Sequence, residues 1–198
     1  KQQSCRGNAV RIRWILTAAL LLFTGCAGTG ELGRIGINDT GMTPGLEVLY
    51  FDGMYRHVSR VPDGDRALLE KGRPGAPILM VDHQFGQNEV FDSGRRRGVG
   101  VQMKGYILME KPGRYELQAL SNDGVEIFIS GTSILKDPDV HSDRLSDIGA
   151  FTADAAGWYP MMVKYFQRKG TAALKLYWRP PGKDAFEVIP ARAYGHRQ

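Results

Sequence analysis

Three short stretches carry side chains able to do chemistry. Asn122-Asp123-Gly124 sets a carboxamide beside a carboxylate, followed by a residue with no side chain. "KDPDVHSD", residues 136–143, places Asp137, Asp139, His141 and Asp143 at alternate positions. Cations come from Arg168-Lys169-Gly170 and from "GRRRG", residues 94–98. Amides, carboxylates, imidazole and ammonium groups hydrogen-bond sugar hydroxyls. Carboxylates in number bind a hard cation such as calcium, which takes about six to eight oxygens.

Plainer uses compete with these. Asp-Gly is a strong hairpin signal, and Gly124 is free to adopt positive φ. The aspartate run reads as a solvated loop in which Asp137 and His141 bond the backbone. It lacks the glycine of a sharp calcium loop and a glutamate at its far end. GRRRG reads as a solvated loop, or as a contact for lipid head groups, acidic glycan or peptidoglycan carboxylates. No Gly-x-Ser-x-Gly elbow, His-Glu-x-x-His pair or phosphate loop occurs. No spacing singles out a pair of catalytic acids. We expect no catalytic residue and no enzyme.

The elements that must position these groups are almost all strands. "LEVLYF" (46–51) and "PILMVDHQF" (77–85) are short ones. Apolar residues alternate at Val99, Val101, Met103, Ile107 and Met109, then at Tyr115, Leu117 and Ala119, and at Val125, Ile127 and Ile129. Tyr159, Met161, Val163 and Tyr165 repeat the pattern, as do Leu174, Leu176 and Trp178. Period two over so many segments predicts antiparallel sheets with one buried face each. Tyr106, Phe128, Phe166 and Tyr177 fall on the polar phase, and we expect half of them buried. "DRALLEKG" (65–72) is the one helix-like stretch. Many short strands without a long helix imply an all-β sandwich or barrel.

The N-terminal segment differs. Lys1, Arg6, Arg11 and Arg13 precede an uncharged, mostly apolar run, Trp14 to Phe23, which is too short to span a bilayer. "FTGC" (23–26) then resembles a bacterial lipobox. The reading is a signal peptide over 1–25, acyl chains such as palmitate on Cys26, and a flexible tether through residue 44. Ala27 rather than Asp after the cysteine favours the outer membrane over the inner. Without the four basic residues of the signal, 22 bases face 21 acids, and the net charge drops from +5 to +1. The basic character is therefore no argument for nucleic acid. The region 45–198 has no cysteine, so its stability must come from its core.

Three stretches, in order, carry a resemblance: "GYILMEKPGRYELQALSNDGVEIFISGTSILKD" (105–137), "HSDRLSDIGAFTADAAGWYPMMVKYFQ" (141–167) and "GTAALKLYWRPPG" (170–182). They resemble the protective-antigen fourteen-kilodalton domain family over about residues 45 to 195. That resemblance implies an antiparallel sandwich or barrel of jelly-roll type, usually a non-catalytic module that recognises carbohydrate. In the family's yeast adhesin branch, two adjacent aspartates joined by a cis peptide hold calcium. A second loop adds Asn or Asp ligands, and the ion grips sugar hydroxyls. Asn122-Asp123 falls on the aspartate pair, and Gln167-Arg168-Lys169-Gly170 on the second loop. Both depart from the pattern: Asn122 is neutral, and two cations would repel calcium.

We therefore expect no cofactor, with Asp123, Asp137 and Asp139 as the metal candidates should calcium bind. A non-proline cis bond costs roughly 3–4 kcal/mol, so Asn122–Asp123 is expected trans. The ligand-binding candidates are Asn122, Asp123, Asp137, His141 and Lys169. The whole reads as a lipid-anchored envelope or surface module that binds glycan. The alternative is an assembly lipoprotein docking onto an envelope protein complex.

Overall fold

The computed structural model describes residues 33–197. The expected signal segment and Cys26 lie outside the described residues. The alternating runs become strands of two antiparallel sheets. In chain order the strands are β1 Thr43–Pro44, β2 Glu47–Asp52, β3 Arg73–Pro74, β4 Asp82–Gly86, β5 Val99–Met109, β6 Gly113–Asn122 and β7 Val125–Ile129. They continue with β8 Thr132–Asp137, β9 Arg144–Leu145, β10 Gly149–Ala153, β11 Gly157–Gln167, β12 Ala172–Arg179, β13 Glu187–Val188 and β14 Tyr194–His196. The larger sheet runs β1-β14-β5-β11-β7-β8, with β2 also on β5 and β3 on β2. The smaller runs β10-β6-β12-β13, with β4 on β12 and β9 on β6. The expected all-β sandwich is the fold.

One core fills the space between the sheets. Val101, Met103, Ile107, Ile127, Val163 and Tyr165 meet Leu117, Ala119, Leu174 and Leu176, and all are fully buried. A smaller cluster covers the outer face of the larger sheet. Val58, Val61 and Ala67, from a 3-10 turn and the helix α1 (Gly64–Leu69), pack on Phe51 and Phe166. That cover explains the burial of Phe166 on the polar phase. Phe166 and Tyr106 are buried, whereas Phe128 and Tyr177 stay half-buried. It also brings Lys164, 4% exposed at its side chain, to Asp63 at 2.6 Å.

Three expectations about the fold change. Residues 33–44 lie on the sandwich and are not a loose tether. Ile35 exchanges backbone hydrogen bonds with Trp158 at 2.9 and 2.8 Å, and β1 pairs with β14. "PILMVDHQF" is a strand only from Asp82, with Ile78 bridging Leu46 before it.

The third change concerns the site. Asn122-Asp123-Gly124 is no hairpin, because β6 belongs to the smaller sheet and β7 to the larger. The tripeptide carries the chain from one sheet to the other. Gly124 is required there for space: a Cβ would lie 2.6 Å from the Pro138 carbonyl oxygen and 2.7 Å from the Phe166 ring. Gly124→Ala should therefore destabilise the fold by about 1–3 kcal/mol, the usual range for overpacking, as a lowered urea midpoint at unchanged m. An unshifted midpoint would contradict this account.

Candidate functional site

Register places four sheet-crossing loops at one end of the sandwich. On the smaller sheet, Ala173 pairs with Asn122 at the end of β6, Ala172 with Gly86 at the end of β4, and Arg144 of β9 with Ser121. On the larger sheet, Gln167 pairs with Val99, Tyr165 with Val125, and Val125 with Asp137. The connections 87–98, 123–124, 138–143 and 168–171 therefore all leave from the same end. They carry every sequence-derived ligand candidate except Cys26, or border directly on it.

Asp123 sits at the centre, 2% exposed. Its Oδ1 accepts the His141 backbone N–H at 3.1 Å, and its Oδ2 accepts that of Arg168 at 2.7 Å. Burial pushes its carboxyl above the ordinary value, while the Arg168 and His141 N–H groups pull it back. The Asn122–Asp123 peptide is cis, where the sequence reading expects trans. The bond lies inside a dense hydrogen-bond network: Asn122 O accepts the buried Tyr165 hydroxyl at 2.5 Å, and Asp123 N donates to Phe166 O at 3.1 Å.

The alternating acids do not converge on one point. Asp137 is buried at the end of β8, where it pairs with Arg144 and lies 3.3 Å from His141 Nε2. His141 Nδ1 meets Ser142 O at 2.8 Å. Asp139 is exposed and forms a backbone bridge with His57. Asp143 turns to the smaller sheet, accepting Asn122 Nδ2 at 2.8 Å and Gln84 Nε2 at 2.7 Å. Those bonds, Asn122 first, hold its carboxyl below the usual range. Asn122 Nδ2 also reaches Thr171 Oγ1 at 3.2 Å. Asp143, Gln84, Thr171 and Lys169 are exposed. The second loop wraps the buried Gln167 amide, whose Nε2 donates to Lys169 O at 3.1 Å and Thr171 O at 2.9 Å.

The structure thus joins Asn122, Asp123, His141 and Lys169 at one end, and gives Asp137 to an internal ion pair. Gln84, Asp143 and Thr171 join the site although no local motif marks Gln84 or Thr171. The residues do not fit a calcium ion. Both Asp123 oxygens face backbone N–H groups, Asn122 presents its amide nitrogen to Asp143, and Arg168 brings positive charge. Among the described residues, no three His, Cys, Asp or Glu side chains come together as metal ligands.

Asp123 acts as a clamp. Asp123→Asn keeps the shape but turns an NH2 toward one backbone N–H, leaving that buried donor unmatched. Stability should fall by about 1–3 kcal/mol, measured by urea unfolding. Wild-type stability in this variant would refute the clamp.

Comparison with known proteins bears on this geometry. The PA14 domain profile matches residues 83–192, over half of the chain. None of the curated proteins matches it. Among solved structures the chain is similar to an anti-sigma factor domain-containing protein, with TM-score 0.65 and 17% identity over 78% of this chain. This chain spans 48% of that protein's length. It is similar to the PA14 sugar-binding domain from an RTX adhesin, with TM-score 0.58, 17% identity, and coverage of 78% of this chain and 99% of that one. It is also similar to the Epithelial Adhesin 9 A domain from Candida glabrata in complex with Galβ1-4GlcNAc. There the TM-score is 0.60 and the identity 9%, with 80% of this chain and 92% of that one covered. At these identities the structural likeness is one of fold, and the profile match carries the assignment: the chain belongs to the PA14 domain family.

Proposed function

We propose that this protein is a non-catalytic, lipid-anchored module of the bacterial envelope that recognises glycans with the loop end of its sandwich. The observation that carries the reading is the convergence of four sheet-crossing loops on one polar end, with Asn122, Gln84 and Asp143 hydrogen-bonded in a row and Thr171 and Lys169 beside them. Gln84 and Asp143, exposed and fixed by each other and by the buried Asn122, are pre-oriented for ring hydroxyls, which lowers the ordering cost of binding. The family's sugar-binding members support the same reading. Glycoside hydrolysis needs two carboxyl groups facing each other across a gap. Asp123 and Asp137 instead face backbone amides and Arg144, which supports recognition without turnover.

Each net hydrogen bond to a sugar yields about 0.5–1.5 kcal/mol, so affinities should be near millimolar. Asp143→Ala should weaken binding about tenfold in titration of the purified chain against a glycan panel, with circular dichroism unchanged. Asp123 is the wrong residue for that test, because its loss disturbs the loops themselves. A folded chain that binds no glycan at millimolar concentration would refute the reading.

The assembly alternative finds its support elsewhere. Leu79 is 57% exposed in a shallow groove with Ile78, Met80 and Phe91. Co-purification of an envelope protein, lost in Leu79→Asp, would favour that role over glycan binding.

The anchor rests on "FTGC" after the apolar run. Cys26→Ser should leave an unprocessed or soluble protein in membrane fractionation. Mass spectrometry finding an unmodified Cys26 in native membranes would refute the anchor.

A further inference from the structure

GRRRG (94–98) belongs to the same end as the polar loops. It lies in the connection from β4 to β5, and Gly98 N donates to Arg168 O at 3.2 Å. Arg95, Arg96, Arg97 and Gly170 line one groove of about 630 Å³ with Gln87 and Gly94. The loop is held in shape. Val90 N donates to Arg95 O at 2.9 Å, Arg95 N donates to the Oγ of the buried Ser93 at 3.1 Å, and Arg95 pairs with Asp52.

That pairing divides the cations by role. Asp52 neutralises Arg95, and Glu89 accepts the Gly94 N–H at 2.5 Å. Arg96, Arg97 and Lys169 are exposed, and none makes an ion pair among the described residues; Arg168 is half-buried and likewise makes none. Cationic side chains thus rim this end.

We propose that the ligand of this end is an anionic saccharide, bearing carboxylate or sulfate groups, held by Arg96, Arg97 and Lys169 without a bridging metal. The inference rests on the glycan reading and narrows it. Guanidinium forks match planar carboxylate and sulfate oxygens bidentately. The exposed Gln84 and Asp143 at the same end, backed by the buried Asn122, suit the hydroxyls of the same sugar. The groove lining has no aromatic side chain on which single-stranded nucleic acid would stack. It also has no apolar side chain to enter a lipid surface.

The test titrates the purified full chain with polygalacturonate and with its fully methyl-esterified form, and with dextran sulfate and dextran. The four ligands are repeated with EDTA. We expect the charged member of at least one pair to bind tenfold or more tighter, to weaken from 50 to 500 mM salt as the screening length shortens to about 4 Å, and to be indifferent to EDTA. Arg96→Glu with Arg97→Glu should remove that preference, and Arg96→Gln with Arg97→Gln most of it, with unchanged circular dichroism. Equal binding of charged and neutral members would overturn the inference and leave glycan recognition standing. So would binding abolished by EDTA. Equally tight binding of polyglutamate, single-stranded DNA or phosphatidylglycerol vesicles would overturn it as well, since the groove would then take any anion. Failure of every saccharide, on this set and on the wider panel, would remove the glycan reading itself.

Discussion

A buried carboxylate has to find donors, and Asp123 finds them on two other loops. Its two oxygens take one backbone N–H each from His141 and Arg168. The chain around it crosses between sheets, so the same group ties three of the four crossings at that end. The fourth follows through Gly98 N–H on Arg168 O. Removing a charge from water is costly unless hydrogen bonds replace the hydration. The loops that supply those bonds are thereby fixed in place. Phe166 and Gly124 pack against each other immediately below, so the clamp sits on a close-packed floor.

Much of the fold was legible because one face of each strand is buried. Period-two alternation in β5, β6, β7, β11 and β12 survives as the actual core. Phe166 and Lys164 were less legible, because α1 and the preceding 3-10 turn cover a face that the alternation marks as solvent. Nothing within β11 encodes that cover. It depends on a segment about a hundred positions earlier.

The site was legible in its residue types and obscure in its connections. Asn122-Asp123-Gly124 has the local signature of a hairpin, yet a hairpin and a sheet crossing share small polar turn residues. Which one forms depends on the partner strands: β6 finds β12 and β10, while β7 finds β11 and β8. Gly124 answers to Pro138 across the end rather than to its own turn. Equal spacing of Asp137, Asp139, His141 and Asp143 suggests a common focus, but the chain leaves β8 at Asp137 and rejoins the other sheet at Arg144, so the acids separate. Gln84 enters the site through pairing of β4 with β12, which no local pattern announces.

The basic loop and the clamp are parts of one arrangement. Accepting the Arg168 N–H fixes the backbone of the second loop, and the Arg168 carbonyl, on the far side of the same residue, fixes Gly98 at the end of GRRRG. Had Asp123 faced outward to hold a cation, its oxygens could not order Arg168, and the basic loop would lose its attachment. Carboxylates on the second loop, whose Gly170 lines the groove with Arg96 and Arg97, would have set opposite charge beside those cations. An inward carboxylate and an outward cationic rim are therefore mutually consistent. Over residues 26–198, 22 bases face 21 acids, so the rim is a matter of placement rather than of overall charge.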